Sequence, residues 1–334
     1  MTFTVLYPEA LYPDDHVERE VYGPEVRVVM RATAKLAELT DQDCAEADGL
    51  MILRQWVQPD DFARFKKLRC VVRMGVGYDK IDRKAAATHA VMVCNVPDYG
   101  TTEVADHTMA LVLALRRGVL LYHEAQRRPE PGWRHVETPM IQRLGAQRFG
   151  IVGLGRIGSA VALRAKAFGF KVLTYDPYQP NGIELALGVT RVGKLEDLLQ
   201  QADVLAIHAP LTAETKGLLG LAQLSLLPQG AVVVNTARGP ILDLDALAKL
   251  LRDGHIAGAG IDVLPVEPPV EPVPELVRAY RARESWLEGR FIITPHAAFH
   301  SPHAWADIRR KSAETMRAAL LGPRSQNVIT PDMF

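Results

Sequence analysis

Arg238, Glu267 and His296 supply a permanent cation, a carboxylate and an imidazole, and upstream of them Gly153, Gly155 and Gly158 form a GxGxxG run followed by Asp176. The later three are the groups that reversible hydride transfer to a 2-oxo acid requires. Hydride arriving at the carbonyl carbon leaves a developing alkoxide, which must receive a proton and be held by positive charge meanwhile. An imidazole, with an ordinary pKa of about 6.5, can give that proton near neutral pH and take it back in the oxidative direction. A carboxylate beside it orients the ring and favours the imidazolium. A guanidinium grips the substrate carboxylate through its planar fork and polarises the adjacent carbonyl.

Each residue alone has a plainer reading. A single Arg after a strand is ordinarily a solvated charge, and a His after Pro295 is ordinarily structural. Arg238, however, follows the apolar run 231–234 and precedes Gly239, and His296 follows the apolar run 291–293. Both therefore stand at the carboxyl ends of buried strands, where open α/β sheets bind ligands. Glu267 lies among Pro265, Pro268 and Pro269, where an exposed Glu is commonplace, and spacing alone does not distinguish it.

The glycines need a setting, because a lone GxGxxG proves little. Residues 149–152 read as a short buried strand, and 156–168 carries Ile157, Val161, Ala165 and Phe168 at helical spacing. In such a strand-to-helix turn the first glycine permits the turn, the second lets backbone approach a pyrophosphate, and the third allows helix to pack on strand. A further strand over 171–175 ends at Asp176, about 20 residues on, where a carboxylate accepts the ribose hydroxyls. A carboxylate there repels a 2′-phosphate, so NAD is expected rather than NADP. The alternative is a surface Asp with no ligand.

At 334 residues the chain exceeds the size at which one core stops growing, so two domains are expected. The 39 basic and 39 acidic residues balance, which argues against nucleic acid or an anionic membrane as partner. Hydrophobic residues make up 48%, with no run long enough to span a bilayer. The first residues show no secretory pattern, and Cys44, Cys70 and Cys94 lack metal-ligand spacing, so reduced thiols, a cytoplasmic location and no metal are expected. The chain ends soon after its last expected helix without a tail or appended domain, which favours a compact enzyme.

Strands and helices alternate almost throughout, implying parallel sheets covered on both faces. Strands are expected over 2–6, 49–53, 70–73 and 91–95. Pro97, Tyr99 and Gly100 then break the pattern, Thr101 and Thr102 are placed to cap a helix over 103–117, and 122–139 reads as an extended connection. The expected division is 1–100 plus 301–334 as a substrate-binding domain and 101–300 as a dinucleotide-binding domain. The fold class is α/β, two Rossmann-like, doubly wound domains with parallel sheets and the active site in the cleft between them.

The chain is similar to the D-isomer-specific 2-hydroxyacid dehydrogenases. The likeness is carried by Arg73-Met74-Gly75-Val76-Gly77-Tyr78-Asp79-Lys80-Ile81-Asp82, the 153–158 fingerprint, His208-Ala209-Pro210-Leu211-Thr212, Asn235-Thr236-Ala237-Arg238-Gly239, residues 262–269 and Thr294-Pro295-His296. Residues 94–97 and 156–178 look most like the branch with the C-terminal binding protein corepressors and their bacterial relatives. The resemblance implies an NAD-dependent enzyme interconverting a D-2-hydroxy acid and its 2-oxo acid, with Arg238, Glu267 and His296 in the roles argued above. It extends the cofactor residues from Gly153, Gly155, Arg156, Ile157, Gly158 and Asp176 to Pro210, Thr215, Thr236 and Asp262. It assigns the amides of Gly75, Val76 and Gly77 to the substrate carboxylate. Arg73 either adds charge there, as in the corepressor-like branch, or pairs with Asp79 or Asp82.

The resemblance also implies a homodimer through the NAD-binding domain, using the apolar helix over 103–121 and the arm bearing Trp133; a helix buried within one chain is the alternative. Three departures stand out. Lys80 replaces a common Asn, Phe299 stands where the corepressors carry Trp, and 270–290 is longer than usual, looks helical and is expected to form a flap or rim near the active site. Specificity is expected from Leu53, Arg54, Tyr78, Tyr99 and Phe299, with Arg54 hinting at a second anionic group on the substrate. A second function class stays open, an NAD(H)-sensing corepressor-like protein with incidental catalysis.

Overall fold

The computed structural model describes residues 2–130 and 132–333. The chain divides into two compact units, 1–100 with 300–334, and 101–299.

The first unit is built on a parallel five-stranded sheet, β1 (Phe3–Tyr7), β2 (Val26–Met30), β3 (Gly49–Ile52), β4 (Cys70–Arg73) and β5 (Met92–Cys94), in the order β2-β1-β3-β4-β5. β3 is buried along its whole length, as expected of a strand covered on both faces. One face holds Leu6, Leu50, Ile52, Phe62, Val71 and Val93. The last helix, Pro302–Leu321, returns to this unit, capped by the Ser301 hydroxyl on the Ala304 N–H at 2.9 Å. Its Arg309 makes a buried two-armed pair with Glu18, at 2.8 and 2.6 Å, and ties it to helix His16–Tyr22.

The sequence reading passed over β2. Arg27 breaks the apolar run Val26–Met30 and the strand lies half-exposed at the sheet edge, so the unbroken run that betrays a central strand is missing.

The second unit carries a parallel seven-stranded sheet: β6 (Arg148–Val152), β7 (Lys171–Tyr175), β8 (Thr190–Arg191), β9 (Val204–Ile207), β10 (Ala231–Asn235), β11 (Ile256–Ile261) and β12 (Phe291–Ile293), ordered β12-β11-β10-β9-β6-β7-β8. Alternate residues serve two cores. Leu205, Ile207 and Val233 join one, while Val204, Ala206, Val232 and Val234 join the other. This is why these strands read as unbroken apolar runs. Strand order reverses at β6, so the crevice at its carboxyl end is the topological switch point.

Several local expectations change. Thr101 and Thr102 are in the first turn of helix Thr101–Arg116 rather than capping it. That helix stops before Gly118, whose φ of +62° breaks it, and a second helix, Val119–Gln126, occupies the start of the segment expected to be extended. Tyr122 to Gln126 are adequate helix formers, and the Arg/Pro-rich stretch begins only afterwards; Pro131 lies outside the described residues. Val104, Met109, Leu111, Val112 and Leu115 are buried, with Met109, Leu111, Val112 and Leu115 packing into the unit's own core beside Phe149, Ile151 and Val232. The helix thus keeps its apolar side within the chain.

Residues 270–290, expected to look helical and to form a flap or rim, do contain a helix, and it docks on the core of its own unit. Within 270–290, helix Glu275–Arg281 buries Leu276, Val277 and Ala279. Glu275 pairs with Arg252 at 2.6 Å, and the Arg252 guanidinium lies 4.6 Å over the Trp286 ring. The Tyr280 ring meets Phe291 edge-on at 5.3 Å. Leu276, Ala279, Leu287 and Phe291 belong to the hydrophobic core, whereas residues 270–272 before the helix and 281–285 at and after its end are exposed.

Candidate active site

The turn after β6 is clamped by the strand beside it. Gly153 N–H donates to the Tyr175 carbonyl at 2.9 Å, and Leu154 N–H to Asp176 Oδ2 at 2.7 Å. Gly153 has φ +94°, and a Cβ there would lie 2.6 Å from the Ala209 nitrogen. A Cβ on Gly158 would lie 2.0 Å from the Gly153 carbonyl oxygen, so helix Arg156–Ala167 approaches the turn as only glycine permits. Gly155 differs: nothing lies within 4 Å of its hypothetical Cβ. Arg156 and Ile157 open the helix, whose first N–H groups and positive dipole end face that open side without a side-chain cap.

Asp176 spends its other oxygen on the N–H groups of Tyr178 and Gln179, at 2.9 and 3.2 Å. In the loop after β9, Thr215 Oγ1 donates to the Pro210 carbonyl at 2.6 Å and accepts the Thr212 N–H at 2.8 Å. His208 at the head of that loop donates its N–H to the Val152 carbonyl at 2.8 Å. The residue as a whole is only part-buried, yet its Nε2 is shut from solvent with no hydrogen-bond partner among the described residues. Burial pushes this imidazole down to about 3, so it stays neutral.

Arg238, Glu267 and His296 follow β10, β11 and β12, which are neighbours in the sheet. At the end of β10, Asn235 shapes the turn, its Oδ1 taking the Ala237 N–H at 3.0 Å and its Nδ2 donating to the Arg238 carbonyl at 2.9 Å. Thr236 is buried, its hydroxyl 2.8 Å from that of Thr108. Gly239 packs so closely on the next loop that a Cβ would lie 2.0 Å from the Leu264 carbonyl carbon. The loops after β10 and β11 are thereby interlocked.

Glu267 Oε1 accepts the Leu264 N–H at 2.7 Å, and Oε2 meets His296 Nδ1 at 2.6 Å. Partial burial pushes the Glu267 carboxyl up; the His296 bond and charge, the Leu264 N–H and the Arg238 charge outweigh it and hold the group below the ordinary carboxylate value. Both side chains keep about a third of their surface, 38% for His296 and 33% for Glu267. The pair is therefore fixed yet reachable.

His296 has φ +53°, a left-handed backbone that a residue with a side chain adopts only when its surroundings impose it. Asp262 imposes it. Its carbonyl takes the His296 N–H at 2.7 Å. Its buried carboxylate takes the Thr294 hydroxyl at 2.5 Å and the Ala297 N–H at 2.9 Å on Oδ1, and the Ala298 N–H at 3.0 Å on Oδ2. His107 Nε2 in turn lies 3.1 Å from Thr294 Oγ1. Asp262, expected from resemblance beside the nicotinamide, also anchors the histidine turn.

In the other unit, Arg73 ends β4, and its guanidinium folds over Gly75, donating to the Met74 carbonyl at 3.1 Å. Gly75 has φ +142°. The 75–77 loop is held through its carbonyls, Val76 by Asn95 Nδ2 at 2.6 Å and Gly75 by the Val96 N–H at 3.1 Å. Arg54 gives its backbone N–H to the Glu9 carboxylate at 2.9 Å, which turns the chain after β3.

Sequence reasoning assigned no role to Asn95, Asn235, His107, Thr108 or Thr294. Asn235 carried one signal, a short amide at the end of a buried strand. Among the described residues no group of His, Cys, Asp and Glu is placed to hold a metal, and no helix is long and apolar enough to cross a membrane.

Residues 109–298, more than half of the chain, match the family model described as "D-isomer specific 2-hydroxyacid dehydrogenase, NAD binding domain". The chain is 37% identical over 300 residues to a glyoxylate reductase of Korarchaeum cryptofilum, covering 87% of this chain and 84% of that protein. It is 34% identical over 307 residues to a D-3-phosphoglycerate dehydrogenase of Methanocaldococcus jannaschii, covering 91% of this chain and 56% of that protein, so it spans little more than half of that relative's length. A solved structure of a Thermus thermophilus protein, 32% identical, superimposes with a TM-score of 0.81, covering 98% of this chain and 100% of that one.

Proposed function

The chain belongs to the D-isomer specific 2-hydroxyacid dehydrogenases and carries their NAD-binding domain, and on that premise we propose that it reduces a small 2-oxo acid to the D-2-hydroxy acid, and catalyses the reverse. The observation that carries the proposal is the 2.6 Å bond between His296 Nδ1 and Glu267, on a loop interlocked with the one bearing Arg238.

The fingerprint turn fits a dinucleotide: Gly155 leaves open space at the amino end of a helix, and Asp176 stands at the end of the neighbouring strand. Gly153, Gly155, Arg156, Ile157 and Gly158 would face the pyrophosphate, Asp176 the ribose, and Pro210, Thr215 and Thr236 the remaining length. When bound, NAD(H) supplies or accepts the hydride. Nδ1–H of His296 donates to Glu267, which leaves Nε2 to carry the proton to the substrate oxygen or remove it. Arg238 binds the substrate carboxylate and draws electron density from the carbonyl. In the first unit, the amides of Gly75, Val76 and Gly77, with Arg73, are proposed as a site for a substrate carboxylate.

A glyoxylate-sized substrate is favoured by the named reductase, 84% of which the chain covers. The corepressor-like alternative gains nothing from either named relative, both of which carry names of oxidoreductases. A cytoplasmic location is proposed from the free, buried Cys44, Cys70 and Cys94. A homodimer is proposed through the arm, where Trp133 is 91% exposed and Val119 and Val136 also face solvent; a monomer in sedimentation at micromolar concentration would remove it.

The test of the reaction is NADH oxidation across glyoxylate, hydroxypyruvate, phosphohydroxypyruvate and larger 2-oxo acids. His296→Gln is expected to lower kcat by about 10²–10⁴-fold while leaving NADH affinity near that of the native protein. Turnover retained in that variant would discard the assigned proton donor.

A further inference from the structure

β6 lies between β9 and β7, so the loops after β9 and β7 stand on either side of the fingerprint turn. They meet above it. The Tyr178 hydroxyl donates to Glu214 Oε2, while the Tyr178 N–H donates to Asp176 Oδ1 at 2.9 Å. Glu214 is set in place from its own side, its N–H donating to Thr212 Oγ1 at 3.2 Å within the turn that Thr215 closes on Pro210. One tyrosine therefore connects two carboxylates from different loops. Its phenol is pushed up by the hydrogen bond to Glu214 foremost, and the charges of both Glu214 and Asp176 add to it. Arg191 is turned elsewhere, to the carbonyls of Gln179 and Pro180 and to Glu184 at 3.1 Å.

We propose that Glu214 is a second determinant, beside Asp176, of the preference for NAD(H) over its 2′-phosphorylated counterpart. This rests on the dinucleotide reading of the 153–158 turn. A free ribose 2′-hydroxyl is neutral and tolerates a nearby carboxylate, whereas a 2′-phosphate carries nearly two negative charges and is repelled by each carboxylate it faces. Tyr178 matters because an unrestrained exposed Glu would swing away from an approaching phosphate. Bonded to Tyr178, Glu214 keeps its charge at the flank of the ribose site. Replacing Asp176 alone accordingly leaves a negative wall standing.

The test is fluorescence titration of NADH and NADPH with the whole protein, its Asp176→Asn, Glu214→Gln and Tyr178→Phe variants, and the Asp176→Asn/Glu214→Gln double variant. Glu214→Gln is expected to tighten NADPH binding by about tenfold and to leave NADH within about twofold, the size of a water-screened repulsion between a carboxylate and a phosphate dianion a few ångströms apart. The gain persists in the Asp176→Asn background and shrinks at about 1 M salt, where the Debye length is about 3 Å. Tyr178→Phe, which frees the carboxylate without removing it, gives a smaller gain of the same sign. NADPH affinity unchanged by Glu214→Gln in both backgrounds overturns the proposal, as does equal weakening of both cofactors, which would make Glu214 a loop support. A native protein that binds both dinucleotides without discrimination also overturns the proposal but leaves the dinucleotide reading standing, whereas one that binds neither refutes that reading as well.

Discussion

Asp262→Asn replaces a buried carboxylate that receives three donors by an amide that can accept on one side only. With its oxygen in the place of Oδ1, the new side chain keeps the Thr294 hydroxyl and the Ala297 N–H. It then turns an NH2 toward the Ala298 N–H, which has lost its acceptor. The reverse orientation loses two bonds, so the first is preferred. Leaving one buried backbone donor facing another donor costs about 1–3 kcal/mol. For a unit of this size that lowers Tm by about 2–12 °C. The same turn holds His296 at φ +53°, a conformation costing of order 1–3 kcal/mol that persists only while its surroundings enforce it. Loosening it lets the imidazole leave its place against Glu267, and a displacement of about 1 Å at a reacting group is worth about 10²-fold in kcat. Differential scanning calorimetry and steady-state NADH oxidation read the two effects together. An Asp262→Asn protein with native Tm and native kcat would refute the claim that this carboxylate anchors the catalytic turn.

The fingerprint glycines separate steric from ligand effects. Gly158→Ala drives a methyl to 2.0 Å from the Gly153 carbonyl oxygen, so Tm and NADH affinity both fall; Gly155→Ala meets no atom within 4 Å, so Tm holds and NADH affinity alone falls, by about tenfold or more. An unchanged NADH affinity in Gly155→Ala would show that the pyrophosphate does not lie there. Glu267→Gln is expected to lower kcat by about 10²-fold, with NADH affinity retained, since the amide still accepts from Nδ1 but no longer balances the imidazolium charge. Its stability effect has a definite sign. Because the folded Glu267 carboxyl lies below its unfolded value, the unfolded chain binds more protons there, so this contribution is present above the ordinary carboxylate pKa and is lost as pH falls through the lower folded value. Tm measured down the acid limb should fall less steeply in Glu267→Gln than in the native protein; an identical or steeper fall would contradict the assigned direction.

What was legible in the sequence was local. The fingerprint turn is a strand, three glycines and a helix within one short stretch, and each glycine meets a different local demand. The central strands announce themselves because both faces are buried, as in the run Ala231–Asn235. What was not legible depends on partners far away in the chain. The carboxylate of Asp262 finds Thr294 at a separation of 32 residues, and His107 finds the same threonine at 187. No spacing rule connects them. The helix Glu275–Arg281 was expected from its pattern, but its docking depends on Arg252, which reaches both Glu275 and Trp286. A half-polar helix pattern is the same whichever neighbour it docks against, so the docking face was not legible locally.

Strand order explains why the chemistry is dispersed along the chain yet gathered in the fold. A parallel sheet brings every carboxyl end to one edge, so residues following β6, β7, β9, β10, β11 and β12 share that edge whatever their separation in sequence. Along it, the order β12-β11-β10-β9-β6-β7 sorts them by task. His296, Glu267 and Arg238 follow the three strands at one end, while the fingerprint turn and Asp176 follow β6 and β7. The loop after β9, with His208, Pro210, Thr215 and Glu214, stands between. A ligand with a reactive head and a recognised tail is the kind of molecule such an edge can read from end to end. The separation also predicts that the tasks come apart: substitutions after β10 to β12 should alter turnover with dinucleotide affinity largely intact, and substitutions after β6 and β7 should do the reverse. Variants that break this partition, with Glu267→Gln abolishing NADH binding or Gly155→Ala sparing it, would mean that the edge is not read in that order.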